Sequence, residues 1–599
     1  MKVSDYIVQF YEKNNINKIF TITGGFAMFL NDSFGKNNSF DIYYQHHEQA
    51  CAYSAVGYSR ITNKPSIVCT TAGCAATNAI TPCLVAYQDS VPVIFISGQV
   101  KTFETTTHLK TLNKNLRHYS GADSEIISMV KPITKYAVEI YDYLKVPEIL
   151  EKALYEAISG RPGPVWLSIP LDIQSMNLSD DIVINKIEKN IIINEYNEVN
   201  KINILHELLN KSERPVIILG NGIQLANCRD KLNNFINEYK IPCVVSFHGT
   251  DLINQSSEYY IGKIGLIGDR AGNFCMQNSD LLISIGCRMS QGIVGYNIKW
   301  FAREAKKVII DIDSEELNKD NLDYELKIKM DIFDFFDLFD KFDRFNENIK
   351  YYNEWVLKCN HWKNKWNSEM PSNYLDDSNG VNPYYILNKL YDLDIDNKIS
   401  VCSGGSIVTN LWHMVNIKNN DRFIISSQGD MGFELPASIG CQIANPDKKV
   451  LCVVGDGSIQ LNIQELQTIV QYKLPIKILL FNNSSYGAIA ITQKGFFNTK
   501  FGVDIESGIS FPDAKKICDA YGIKYIIIEK NNDISEKLYE FMNSNEAILC
   551  EIVCCIQPRY PKLNAKKNDD GTFTNKPLED LEPFLDRDEF KREMIVKIL

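Results

Sequence analysis

The chain has 599 residues, 45% of them apolar and 11% aromatic, an ordinary globular composition long enough for three or four hydrophobic cores. Its net charge of −11 excludes the basic face that a nucleic-acid partner requires, and neither a run of 18 apolar residues nor a basic amphipathic stretch points to a membrane. The opening MKVSDYIVQFYEKNN lacks the charged-then-apolar pattern of a signal peptide. The sixteen cysteines, none in a CxxC spacing and several inside apolar runs, read as buried reduced thiols of a cytoplasmic protein.

Apolar runs of five or six residues alternate with helix-length amphipathic stretches along nearly the whole chain, which predicts βαβ units and parallel sheets covered on both faces. A first block, 1–178, carries the strands KPSIVCTT and VPVIFISG and closes at GRPGPVWLSIPLDI. Polar, Asn-rich residues 180–199 read as a linker. A second block, 200–340, runs from RPVIILGNGI through DLLISIGCR to KKVIIDIDSEEL, and Asn- and Lys-rich residues 345–383 read as the next connection. A third block occupies 384–557. The polar tail 558–599 is expected to turn at Asp569-Asp570-Gly571 and to end in a helix. The expected fold is therefore α/β, with three doubly wound parallel-sheet domains.

Within the third block, KVLCVV and IKILLF read as strands buried on both faces, the first broken at Gly455-Asp456-Gly457 and the second at Asn482-Asn483. Ile463, Leu466, Ile469 and Val470 fall at helical spacing between them, and Asn462 with Glu465 reads as a capping-box start for that helix. A right-handed crossover then puts Asp456 and Asn483, 27 residues apart, at the carboxyl ends of neighbouring strands, where open α/β sheets bind ligands. A carboxylate, an amide oxygen and a main-chain carbonyl form a hard donor set that suits Mg2+, whose remaining positions go to phosphate and water. A plain Asp-Gly turn is the bland alternative for the first break alone.

GDG followed after some two dozen residues by NN resembles the motif of the thiamine diphosphate enzymes. The resemblance extends to YYQHHEQACAYSAVGYSR and TTAGCAATNAITPCLVAYQDSVPVIFISGQV in the first block and to SSQGDMGFELPASIG ahead of GDG, segments similar to those of the acetolactate synthase and pyruvate oxidase group. It implies pyrimidine-binding, central and diphosphate-binding domains in that order. It implies Mg2+ ligation by Asp456, the Asn483 side chain and the Ser485 carbonyl. Gly404, Gly405, Ser406, Gly457, Ser458, Tyr486 and Gly487 would surround the diphosphate, and Thr71 and Asn78 the pyrimidine. Glu48, in HHEQA, matches the glutamate that hydrogen-bonds the aminopyrimidine, and Met431 the apolar prop under the bent cofactor.

The expected activity is that of a carboligase that decarboxylates a 2-keto acid such as pyruvate and joins the acyl unit to a second carbonyl. The tail resembles that of an acetolactate synthase-like subgroup, some of whose members add the two-carbon unit to a nucleotide-linked keto-sugar, and a cyclic diketone hydrolase uses the same scaffold. The family builds its site between subunits, which implies a homodimer or homotetramer. Some relatives carry FAD in the central domain and others have lost it; ILGNGI and IGCRMSQGIVGYN lie where flavin contacts fall, with Arg288 the best single candidate. Two departures concern the acceptor side. The family's SGPGATN reads AGCAATN here, and its catalytic-site glutamine has no clear match, leaving Asp123, Ser124 and His108 as residues of open role.

Overall fold

In the computed structural model, residues 1–179, 195–320, 322–343, 351–366, 370–393, 395–418, 420–558, 560–563, 565–568 and 570–599 are described. Most of the linker expected at 180–199, parts of the connection at 345–383, and Asp569 of the expected tail turn lie outside them.

Eighteen strands form three six-stranded sheets in which every ladder is parallel. The first contains β1 (Lys18–Thr21), β2 (Asp41–Tyr44), β3 (Ser66–Thr70), β4 (Val93–Gln99), β5 (Tyr136–Glu139) and β6 (Val165–Pro170), in the order β2-β1-β3-β4-β6-β5. The second contains β7 (Pro215–Leu219), β8 (Cys243–Val245), β9 (Tyr260–Lys263), β10 (Leu281–Ile285), β11 (Lys306–Asp311) and β12 (Leu326–Lys329), in the order β12-β11-β10-β7-β8-β9. The third contains β13 (Lys398–Val401), β14 (Arg422–Ile424), β15 (Lys449–Gly455), β16 (Lys477–Asn482), β17 (Lys524–Ile528) and β18 (Ile548–Val553), in the order β14-β13-β15-β16-β18-β17. The first and third sheets therefore share one topology. The second has the order that reverses between its first and fourth strands, β7 and β10. Central strands such as β3, β7 and β10 are buried at every residue, which explains their unbroken apolar runs.

The first and third domains meet through two helices, Glu48–Thr62 and Glu434–Ala444. Small residues let their backbones touch. A Cβ at Gly440 would lie 1.9 Å from the Ser54 carbonyl oxygen, and one at Gly57 would lie 2.2 Å from that of Ala437. The crossing sets the start of the first helix, and Glu48 with it, beside the third domain.

The central domain draws on more of the chain than its apolar runs suggest. Within the expected connection, residues Asn353–Trp366 form a helix that buries Trp355, Cys359 and Trp362 in the central core. Trp355, Trp362 and Trp366 share one helical face, a spacing masked by the lysines and asparagines between them. The tail also returns to this core through Leu578, Phe590, Met594 and Val596. It contains two short antiparallel ladders, Lys562–Leu563 with Leu581–Glu582 and Ala565–Lys567 with Phe573–Asn575, and ends in the expected helix, Arg587–Glu593. Glu593 anchors that helix by accepting hydrogen bonds from Lys358 Nζ at 2.7 Å and Trp362 Nε1 at 2.9 Å. All sixteen cysteines are free thiols, fourteen of them buried. Among the described residues no helix is long and apolar enough to cross a membrane.

Candidate active site

The carboxyl edge of the third sheet brings three loops together where the strand order reverses. β13 leads into Gly404 and Gly405, β15 into Asp456, and its neighbour β16 into Asn483. Asp456 is buried, and its carboxylate accepts hydrogen bonds from the Gly457 N–H at 2.8 Å and the Asn483 N–H at 3.1 Å. Burial pushes its carboxyl up to about 6, with those backbone donors opposing the shift. The Asn483 side-chain oxygen accepts the Ser485 N–H at 3.0 Å and retains a second lone pair. Ser484, between Asn483 and Ser485, adopts a left-handed conformation, φ 52°. The expected strand–helix–strand arrangement around the two breaks is present, with β15 and β16 in parallel register.

Neighbouring groups close this edge. A Cβ at Gly457 would strike the Tyr486 ring at 2.1 Å, so only glycine lets that ring lie over the turn. A Cβ at Gly487 would lie 3.1 Å from Asn483 Nδ2 and 3.7 Å from Ser406 Oγ, which brings the Gly404–Ser406 loop up to the Asn483–Gly487 loop. Gly405 has φ +76°, and Met431 packs on Gly404, whose added Cβ would stand 3.2 Å from Met431 Cγ. The Ser458 hydroxyl accepts the Gly432 N–H at 2.9 Å and donates to Glu434 Oε2 at 2.8 Å. Glu434, not singled out by sequence, is fully buried, and its other oxygen accepts the Gly404 N–H at 2.9 Å. Burial raises this carboxyl to about 7. The signal for it was a glutamate within the apolar start of a helix, GFELP.

In the first domain, Glu48 opens its helix half-buried and accepts a hydrogen bond from Asn78 Nδ2 at 2.9 Å. Thr71 follows β3, and its hydroxyl accepts the Phe26 N–H at 3.1 Å across the switch point between β1 and β3. The departed loop AGCAATN holds Gly73 at φ +68°, where an added Cβ would lie 3.1 Å from the Ala122 oxygen. Residues 122–124 thus lie against the loop that carries Asn78. Asp123 accepts the Thr106 N–H at 2.9 Å, and Gln99 Nε2 donates to the Ser124 carbonyl at 2.8 Å. Gln99, inside the GQV segment itself, is a buried glutamine on this side. His108 sits half-buried in a short helix, with its N–H on Thr105 Oγ1 at 3.1 Å.

The expected capping box at Asn462 and Glu465 is not formed. Residues Ile459–Asn462 make a 3-10 turn, the helix Glu465–Gln471 begins after Gln464, and no side chain caps it. Tertiary partners claim both side chains instead. Asn462 Nδ2 donates to the Gly432 carbonyl at 2.7 Å and to Gln49 Oε1 at 3.1 Å. Glu465 accepts the His46 N–H at 3.2 Å and Gln45 Nε2 at 3.2 Å. These bonds flank Glu48 on both sides and tie it to the third domain.

Three family models cover most of the same ground. Residues 1–118 match the N-terminal TPP binding domain of thiamine pyrophosphate enzymes, 202–336 the central domain, and 403–552 the C-terminal TPP binding domain. A probable acetolactate synthase large subunit of Methanococcus aeolicus is 30% identical over 573 residues, 92% of each chain. The chain belongs to the thiamine pyrophosphate enzymes. The acetolactate synthase large subunit of Lactococcus lactis is 29% identical over 92% of each chain, and the mitochondrial acetolactate synthase of Schizosaccharomyces pombe 28% identical over 90% of this chain and 81% of its own. Thiamine pyrophosphate, which is thiamine diphosphate, is thus the cofactor of this enzyme, and its domains are the family's three in the expected order.

The residues present fit that cofactor. Asp456 is a buried hard-oxygen donor whose carboxylate is held by N–H groups and, among the described residues, by no cation. Among the described residues no group of three His, Cys, Asp or Glu side chains could hold a metal on its own. In the central domain the GxG glycines have a packing role: a Cβ at Gly220 would lie 2.2 Å from the Gly286 oxygen. Arg288 spans the three domains, donating to the Gln88 carbonyl at 3.2 Å and to Ser427 Oγ at 3.3 Å.

Proposed function

We propose that this enzyme is a carboligase of the acetolactate synthase kind, which decarboxylates a 2-keto acid, pyruvate by analogy with its relatives, and transfers the two-carbon acyl unit to a second carbonyl compound. The observation that carries the reading is the meeting of Asp456, Asn483 and the Gly404 loop at one sheet edge, in a chain aligned over 92% of its length with an acetolactate synthase large subunit. In this reading Asp456, the Asn483 side-chain oxygen and the Ser485 carbonyl would hold Mg2+. Gly404, Gly405, Ser406, Gly457, Ser458, Tyr486 and Gly487 enclose the diphosphate, and Thr71 and Asn78 line the pyrimidine side.

When bound, thiamine diphosphate supplies a nucleophilic thiazolium carbon and a ring that takes up the electrons of the cleaved C–C bond. Glu48 holds the proton at the pyrimidine ring nitrogen, and Asn78 orients the Glu48 carboxylate through their 2.9 Å hydrogen bond. Met431, packed on Gly404, would support the bound cofactor from that side. Glu48 is half-exposed in the single chain, which agrees with a site completed by a second subunit, and the reading includes a homodimer or homotetramer. A keto-sugar acceptor and a diketone hydrolase find no support among these relatives. The Gly220–Gly286 packing and the Arg288 bridge neither require nor exclude FAD in the central domain; absorption of the purified protein at flavin wavelengths tests for it.

The deciding experiment incubates the purified enzyme with thiamine diphosphate, Mg2+ and labelled pyruvate, alone and with 2-ketobutyrate or a 4-keto sugar nucleotide. Labelled carbon dioxide with acetolactate or its 2-ketobutyrate counterpart is expected. Release of carbon dioxide with product only from the sugar nucleotide would redirect the reading.

A further inference from the structure

Glu434 is a fully buried carboxyl that the reaction scheme leaves without a task. It stands between the two loops assigned to the diphosphate, with Oε1 on the Gly404 N–H at 2.9 Å and Oε2 on the Ser458 hydroxyl at 2.8 Å. Ser458 has one O–H and two acceptor lone pairs. One lone pair takes the Gly432 N–H at 2.9 Å. While Glu434 is ionised it can only accept, so the Ser458 O–H is spent on it and none is left for a ligand. When Oε2 carries a proton the bond reverses. The acid O–H then donates to Ser458 Oγ, and the Ser458 O–H turns free. Gly404 stays tethered in both states, because its N–H reaches the other oxygen.

The surroundings favour the protonated state once an anion arrives. The groups that face Glu434 are Asp430 from the preceding loop, Tyr53 from the Glu48–Thr62 helix, Cys402 at the end of β13 and Cys452 on β15. Burial raises the pKa of each of them, so the tyrosine and both thiols are neutral. No cation pairs with Glu434 among the described residues. A diphosphate brought to the Gly404 and Ser458 loops places acceptor oxygens beside a hydroxyl whose O–H is spent on Glu434 while that carboxyl is ionised, which favours the neutral carboxyl even with Mg2+ at Asp456 offsetting the phosphate charge.

We propose that Glu434 is a positioning residue that takes up a proton when the diphosphate binds, reversing its hydrogen bond to Ser458 so that the Ser458 hydroxyl donates to a phosphate oxygen. The inference rests on the assignment of these two loops to the diphosphate. It makes cofactor loading pH-dependent through a group that touches neither the metal nor the reacting atoms.

Titration calorimetry of Mg2+ and thiamine diphosphate against the full-length protein, between pH 6.5 and 8.5 in buffers of different ionisation heat, measures the protons exchanged. The Glu434→Gln variant keeps both bonds in the protonated pattern, because its amide oxygen accepts Gly404 and its NH2 donates to Ser458. Titration of the free cofactor and the metal is common to both proteins and cancels in their difference. Expected is about one more proton taken up by the wild type at pH 8.5, and an affinity falling about tenfold per pH unit above neutrality relative to the variant. Parallel pH profiles and equal proton uptake would overturn the inference. Infrared difference spectra of the wild type alone, with and without cofactor, provide a second readout: a new protonated-carboxyl band supports it, and its absence counts against it. Asp456→Ala separates the two levels. If that variant still binds the Mg2+–cofactor pair, the site assignment itself fails. If it loses binding while the wild type takes up no extra proton, only the role of Glu434 fails.

Discussion

The Glu465 carboxylate accepts the backbone N–H of His46 at 3.2 Å, across 419 residues of sequence and two positions before Glu48. Its second oxygen accepts Gln45 Nε2 at 3.2 Å and the Thr468 hydroxyl at 2.6 Å. One buried acid in the third domain therefore fixes the approach to the Glu48 helix. Glu465→Ala leaves the His46 and Gln45 donors without their acceptor, at a cost of about 1–3 kcal/mol. The expected outcome is a lower thermal midpoint together with slower hydrogen–deuterium exchange at the cofactor C2, because Glu48 loses its register. Glu465→Gln keeps an acceptor for His46 and should fall between the two. An exchange rate equal to wild type in the alanine variant would mean that Glu48 is positioned by its own helix alone.

Asp456 and Asn483 were legible in the sequence because a local rule connects them: strand, crossover helix and parallel strand bring both breaks to one edge. Asn462 and Glu465 were misread by an equally local rule. The spacing of a capping box is present, but each side chain finds a better partner in another domain, and no single sequence reveals a pairing across hundreds of residues. Glu434 was overlooked for a related reason. A lone glutamate at a helix start reads as solvated, and only the packing of three elements buries it. The helix Asn353–Trp366 was hidden by composition, since its lysines and asparagines outnumber the tryptophans that dock it.

In the proposed reading Glu48 carries the proton step. Glu48→Gln retains the size of the side chain and an acceptor for Asn78 Nδ2, but cannot share a proton with a ring nitrogen. C2 exchange in the bound cofactor should slow by at least about 100-fold, the scale of a lost general acid–base group, while cofactor affinity changes little. Proton NMR of quenched samples measures the exchange, and calorimetry the affinity. An exchange rate within a few-fold of wild type would remove Glu48 from the proton step.

The crossing of the two domain-joining helices predicts a sharp asymmetry between two glycines. Ala at 440 would place a methyl 1.9 Å from the Ser54 carbonyl, so the helices must separate. That costs about 1–3 kcal/mol or more, beyond the roughly 1 kcal/mol that alanine gains in a helix. Gly495, exposed on the helix Gly487–Phe497, has nothing within 4 Å of an added Cβ. Gly440→Ala should lower the thermal midpoint and Gly495→Ala should leave it level or raise it. Equal effects would contradict the close crossing.

The raised carboxyl of Glu434 also sets a pH dependence of stability in the cofactor-free protein. Its folded pKa, about 7, stands above the ordinary 4.5, so between these values the folded chain holds a proton that the unfolded chain releases. Stability from this group is therefore present below about pH 4.5, declines as pH rises through the window, and levels off above neutrality, a loss of about 3 kcal/mol. Asp456, raised to about 6, acts with the same sign, and comparison with a single variant removes its share. Glu434→Gln has no proton to lose. Thermal midpoints at a fixed scan rate should match the wild type near pH 5 and exceed it above pH 7, with the gap opening between. A gap that stays constant across this range would mean that Glu434 does not change charge in the folded protein, and would leave Ser458 donating to it at every pH.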